Sequence, residues 1–190
     1  MRKTTLSILM LSLVAVVMTS CNLFKNEQER KIVGKWYISD AADAYQDTAT
    51  VIDDYTTLRI ITEETCTYEA DKKINSTGTF QYVISLYDEY SIILKYRFSS
   101  AGTWEIKDDR LYEKYSDASI NFAGMELSHP NDPDLQQLAN QYKQNFAADV
   151  MPELKSDFLT PNDYKIVKVD DNELILSDKE GTTSSYRRLN

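Results

Sequence analysis

The sequence predicts an all-β chain, mostly an antiparallel meander closed into a barrel, with one inserted amphipathic helix. Three observations carry this. Apolar and polar residues alternate with period two through most of 31–190. Short acidic turns, Asp108-Asp109, Asp170-Asp171-Asn172 and Asp178-Lys179-Glu180-Gly181, separate the alternating runs. No strand–helix–strand rhythm appears, which argues against a parallel sheet. A long meander best avoids exposed edges by closing on itself.

The N-terminus stands apart from that pattern. Arg2 and Lys3 precede an apolar run, Leu6 to Met18, broken only by Ser7 and Ser12. A helix of about 13 residues spans roughly 20 Å, short of the ~30 Å hydrocarbon core, so 1–20 reads as a signal peptide. Met18-Thr19-Ser20-Cys21, small residues immediately before a cysteine, resembles the lipobox of bacterial lipoproteins, with Met18 in place of the usual leucine. The resemblance implies that Cys21 carries a diacyl group, that the chain is cut before it and that the new N-terminus is acylated. Several acyl chains give stable anchoring where one is marginal. An ordinary secretory signal, or an anchor helix with an incidental cysteine, is the alternative. Asn22 follows Cys21. In enteric lipoproteins an Asp there favours the inner membrane, so the resemblance points to the outer membrane, facing the periplasm or the surface. Residues 21–30 are mostly polar and read as a tether to a domain spanning 31–190.

The strands are expected in order at Val33–Ser39, Tyr55–Ile61, Glu64–Asp71, Thr79–Ser85, Glu89–Phe98, Thr103–Lys107, Arg110–Tyr115, Ser119–Leu127, Tyr164–Val169, Glu173–Ser177 and Thr182–Leu189. Alternation is clearest in Glu89–Phe98, where Tyr90, Ile92, Leu94, Tyr96 and Phe98 share a face, and weakest in Ser119–Leu127. Gly102 reads as a break between two strands. Between the eighth and ninth runs the period changes to that of a helical insertion over about 132–158. Asp132 is placed to cap it, Pro133 fits its first position, and Leu135, Leu138, Ala139, Tyr142 and Phe146 form one stripe. Pro152 is expected to end or kink it, with a second short turn before Pro161.

Ile32-Val33-Gly34-Lys35-Trp36-Tyr37, in the first strand, resembles the Gly-x-Trp opening of the lipocalins and the wider calycin families. In those families a late arginine packs across this tryptophan and closes one end of the barrel. The resemblance therefore implies that Arg187 or Arg188 stacks on Trp36, with Gly34 part of the motif. Asn162-Asp163-Tyr164 is loosely similar to the lipocalin Thr-Asp-Tyr motif. The long helix departs from the family by preceding the last three strands instead of following the barrel.

Composition and charge exclude several functions. The 190 residues are 42% hydrophobic and 27% charged, a globular composition. Formal charge is −9; without Arg2 and Lys3 there remain 19 Lys and Arg against 30 Asp and Glu, or −11. So acidic a domain is a poor nucleic-acid binder. The single histidine, His129, sits beside Pro130 in an expected loop. There is no Gly-rich phosphate loop, Cys-x-x-Cys pair or His-Glu-x-x-His helix, and no cofactor or metal is expected. Asn131, Asp132 and Asp134 lack calcium-loop spacing and are accounted for by capping. No catalytic set is recognised, so binding is expected and not catalysis. With Cys21 acylated, Cys66 has no partner and is expected to be buried.

Two binding functions remain open. In one, the barrel carries a small apolar ligand lined by Phe80, Tyr82, Tyr90, Ile92, Leu94, Tyr96, Phe98, Trp104 and Ile106. The same residues would equally make a filled core. In the other, the anchored barrel docks an envelope protein or a glycan through its loops and helix. Thirteen tyrosines suit either.

Overall fold

A computed structural model describes residues 27–39, 50–87 and 89–189. The leader and Cys21 lie outside the described residues. Residues 27–32 (α1) are helical. Nine strands follow: β1 (Gly34–Ser39), β2 (Thr50–Asp53), β3 (Thr56–Tyr68), β4 (Lys73–Leu86), β5 (Tyr90–Lys107), β6 (Arg110–Leu127), β7 (Asn162–Val169), β8 (Glu173–Ser177) and β9 (Thr183–Leu189). All pairings are antiparallel. The order β1-β9-β8-β7-β6-β5-β4-β3 closes through a β1–β3 pairing, a calycin-like ring of eight strands, with β2 added on the edge of β3.

The strands are fewer and longer than the alternation suggests. Tyr55–Ile61 and Glu64–Asp71 merge into β3, Glu89–Phe98 and Thr103–Lys107 into β5, and Arg110–Tyr115 and Ser119–Leu127 into β6. Gly102 does not end a strand. It lets β5 bend where β6 bulges: Ala101 pairs with Asp117 and Gly102 with Tyr115, leaving Ser116 unpaired. A Cβ on Gly102 would collide with the Lys114 carbonyl. A second bulge at Ala123 separates Phe122 from Gly124. Each bulge moves the inward set of β6 by one residue, from Leu111, Glu113 and Tyr115 to Ala118 and Ile120, which is why its alternation reads poorly. Asp108 and Asp109 both take positive φ, 51° and 58°, as a tight two-residue hairpin requires.

Pairing of β1 stops at Ser39–Glu63 and that of β7 at Asn162–Glu113. Past these points β3, β4, β5 and β6 run on as a sheet outside the ring. The helical insertion covers it. Asp132 caps α2 (Pro133–Asn145), its carboxylate accepting from the amides of Asp134 and Leu135 at 2.9 and 3.1 Å. Pro152 does not stop the helix. A π-turn, Phe146–Val150, intervenes, with the Met151 amide bonded to the Phe146 carbonyl, and α3 (Met151–Leu159) continues with proline in its first turn. The missing Pro152 N–H is thereby placed where no partner is required. No described helix is long and apolar enough to cross a membrane.

There are two cores. The ring encloses Ile32, Trp36, Cys66, Tyr68, Ile74, Trp104, Ile106, Leu111, Tyr115, Ile166, Leu174 and Leu176. The extension and helix enclose Phe80, Tyr82, Ile84, Leu86, Ile92, Leu94, Tyr96, Phe98, Leu135, Ala139 and Phe146.

Candidate binding cavity

Closure of the ring rests on its first and last strands. Trp36 and Arg188 are register partners, and the Arg188 guanidinium lies over the Trp36 ring at 4.1 Å. Arg188 also donates to the carbonyls of Val33, at 2.9 Å, and Lys31. The Trp36 indole donates to Ile32 O at 2.7 Å. Gly34, at φ 141°, is what admits the arginine, because a Cβ there would collide with its guanidinium. Arg187 points the other way and stacks on Tyr37 at 4.7 Å.

The nine residues expected to line a ligand site are divided between the two cores. Phe80, Tyr82, Ile92, Leu94, Tyr96 and Phe98 lie under the helix, with Tyr90 at their margin; Trp104 and Ile106 lie in the ring. Phe146 occupies the face that the first group presents, its ring 4.2 Å from Tyr82 and 4.7 Å from Tyr96. Phe98 is covered in turn by Phe158 at 5.0 Å. Trp104 meets Tyr68 edge-on at 5.6 Å and donates its indole N–H to Glu69 O at 3.0 Å.

A cavity of about 270 Å³ lies instead inside the ring, where β6 and β7 part beyond the Glu113–Asn162 pair. Its walls are Glu64 and Cys66 from β3, Glu113 and Tyr115 from β6, Asn162 and Tyr164 from β7 and Tyr186 from β9, and α3 roofs it with Leu154, Asp157 and Phe158. None of the nine expected residues is among these. A larger groove of about 640 Å³, open to the same degree, runs past Lys72, Thr103, Glu105 and Lys114, borders Trp104 and Ile106, and shares Glu113 and Asn162 with the cavity. Its charge is partly cancelled by the Lys72–Glu29 pair at 2.9 Å.

The cavity is acidic and hydroxyl-rich. Glu113 is 6% exposed. It accepts from the Tyr68 hydroxyl and, at 3.4 Å, from that of Tyr115. Burial pushes its carboxyl up to about 7; the neighbouring Glu64 adds to the rise, and hydrogen bonds from Tyr68, Tyr115 and Asn162 oppose it. Glu64 accepts from the Ser76 hydroxyl and, at 3.2 Å, from the Cys66 thiol. Burial first, then the charges of Glu64 and Glu113, hold that thiol well above its ordinary range, so Cys66 is an inert group of the wall. Burial raises Tyr115, Tyr164 and Tyr186 as well, leaving them neutral donors. Among the described residues neither Glu64 nor Glu113 forms an ion pair, and no group of His, Cys, Asp and Glu is arranged to hold a metal.

Sequence reasoning missed both glutamates. The signal for Glu113 was its inward place between Leu111 and Tyr115, and that for Glu64 was its shared face with Cys66 and Tyr68. A carboxylate in the buried set of a strand needs an explanation. No protein-family model and no curated protein sequence matches the chain.

Proposed function

We propose that this chain is a lipid-anchored envelope protein that binds one small molecule within its barrel, in the cavity between Glu64 and Glu113. The cavity carries the reading: it lies in the ring interior, its wall combines acceptors, donors and aromatic faces, and one helix roofs it. Its volume, about 270 Å³, falls just below the roughly 300–1,000 Å³ of sites for drug-sized ligands, which restricts it to a smaller molecule. The apolar side of the ligand would rest on Leu154 and Phe158, and its polar side on the glutamates and tyrosines. The anchor rests on Arg2, Lys3, the Leu6–Met18 run and Cys21, and the outer membrane on Asn22. With a mature charge of −11 the domain is repelled by anionic headgroups, so acyl chains would have to hold it there. The Gly34, Trp36 and Arg188 arrangement supports the lipocalin resemblance.

Two experiments test this. A panel of small molecules is screened by thermal shift against the full chain and against Tyr164→Ala. At least one compound should raise the wild-type midpoint and leave the variant unmoved; no shift across the panel argues against the carrier. For the anchor, Cys21→Ala should leave the precursor uncleaved or the protein in the soluble fraction, and unchanged processing and membrane association would refute it.

A specific observation favours docking as a second reading. At the far end of the extension Tyr55 and Tyr87 stack at 4.8 Å while 59% and 64% exposed, beside exposed Val51 and Ile52. Such a tip suits recognition of a protein or a glycan. Replacing Tyr55 and Tyr87 together by serine should then abolish envelope cross-links without changing stability by more than about 1 kcal/mol.

A further inference from the structure

The two halves of the helical segment are held differently. α2 and the π-turn bury Leu135, Ala139 and Phe146, and the Lys143 ammonium lies over the Phe122 ring at 4.1 Å, tying α2 to β6. α3 buries none of its nine residues. Leu154 and Phe158 are only partly buried, and among the described residues the one ring contact from α3 to the sheet is Phe158 against Phe98 at 5.0 Å. Among the described residues no hydrogen bond or ion pair joins an α3 side chain to a strand.

Both ends of α3 are already interrupted. At its start the π-turn changes the hydrogen-bond step, closing with the Met151 amide on the Phe146 carbonyl, and Pro152 has no N–H to add the next bond. At its end Thr160 is extended, with ψ 129°, and Pro161 follows before β7 begins at Asn162. Helices bend at prolines and π-turns. A segment with few buried apolar contacts and a break at each end opens at a lower free energy than the whole fold.

The cavity lies under this segment. Leu154, Asp157 and Phe158 form its roof, and Cys66, 3% exposed, stands in its wall. Lifting α3 uncovers the gap between β6 and β7 without parting a strand pair, because their pairing already stops at Glu113 and Asn162.

We propose that α3 is a hinged lid. It swings off the ring about the π-turn and Thr160-Pro161 while α2 and the strands stay folded, and this opening is the way into the cavity. The motion stands on the packing of α3; its use as an entry rests on the carrier reading above.

The Cys66 thiol and the α3 amides report the motion together. The full chain in mild detergent is labelled with a small methanethiosulfonate and with a bulkier maleimide, both dilute enough for reclosing to outrun labelling. Mass spectrometry of the peptide carrying Cys66 gives each rate, taken relative to that on the urea-unfolded chain. A lid gives both reagents the same relative rate, nearly independent of urea well below the unfolding transition and at least about tenfold above what global unfolding allows. The α3 amides should exchange with the same protection as the thiol, and those of α2 at least about tenfold more slowly. Phe158→Ala should quicken labelling by both reagents about tenfold, whereas Leu174→Ala, in the ring core, should lower the urea midpoint and leave labelling unchanged. Should either variant fail to fold, the urea dependence of wild-type labelling decides. Labelling that rises with urea as steeply as unfolding itself overturns the lid, because Cys66 is then reached only through the unfolded chain. Labelling by the small reagent alone shows a fixed channel and overturns it too. Neither result touches the carrier reading, which the ligand screen decides, and a screen without a hit leaves the motion standing.

Discussion

The guanidinium carbon of Arg188 sits 4.1 Å from the centre of the Trp36 ring, joining the last strand of the ring to the first. Stacking is only part of that contact. The same side chain carries hydrogen bonds to the carbonyls of Val33 and Lys31, where α1 runs into β1, so it also fixes where the chain enters the barrel. Arg188→Ala should cost roughly 3 kcal/mol in chemical denaturation, from lost cation–π contact and charged hydrogen bonds. Arg188→Lys should recover little, because an ammonium cannot both stack flat and reach two carbonyls. Arg187→Ala, which removes only the contact with Tyr37, should cost less than about 1 kcal/mol.

Glu113 predicts a pH dependence of known sign. Its carboxyl titrates at about 7 when folded, against an ordinary 4.5, so the native state holds the proton more tightly. As pH rises through this window the unfolded chain releases the proton first, and the native state loses stability until the folded group has also ionised. The loss is about 3 kcal/mol and is complete above about pH 8. The stability difference between wild type and Glu113→Gln, from urea titrations at about pH 4 and pH 8, should move by that amount in favour of the variant. A difference independent of pH would show that Glu113 ionises normally.

Phe146 joins the helix to the extension. Its ring centre lies 4.2 Å from that of Tyr82 and 4.7 Å from that of Tyr96, so its truncation leaves a void between the helix and the sheet. Phe146→Ala should cost about 3–5 kcal/mol. Amide exchange should quicken across α2 and α3 more than in β1, β8 and β9, since those strands belong to the other core.

Gly102→Ala tests the bend in β5. The added methyl meets the Lys114 carbonyl, which is backbone and cannot swing away. Destabilisation above about 2 kcal/mol is expected. Gly181→Ala, with open space around its Cβ and φ 91°, should cost only its backbone strain, roughly 1–2 kcal/mol.

Much of the fold was legible because its signals are local. Alternation marks the strands, the Asp-Asp pair marks its hairpin, and Asp132-Pro133 marks the helix start. Gly34, Trp36 and a late arginine were enough to foresee ring closure, although only the register decides between Arg187 and Arg188. The division into two cores was not legible. The inward face of β5 runs from Ile92 to Ile106 with only Ser100 and Gly102 interrupting its apolar residues, and nothing in it says that the ring accompanies only its second half. The cavity was missed for a related reason. Most of the residues on the expected apolar face lie where the helical segment covers them, and Trp104 and Ile106 lie in the ring core, while the cavity is marked by two acids whose significance depends on which way their strands face.

In the proposed function the ring interior holds a small molecule. Native mass spectrometry of the full chain, extracted from membranes in mild detergent, tests it most directly. A carrier should give a folded species heavier than the acylated chain by one small ligand, the extra mass leaving when the protein unfolds. A folded species at the bare chain mass, unchanged after incubation with the small-molecule panel, would contradict it.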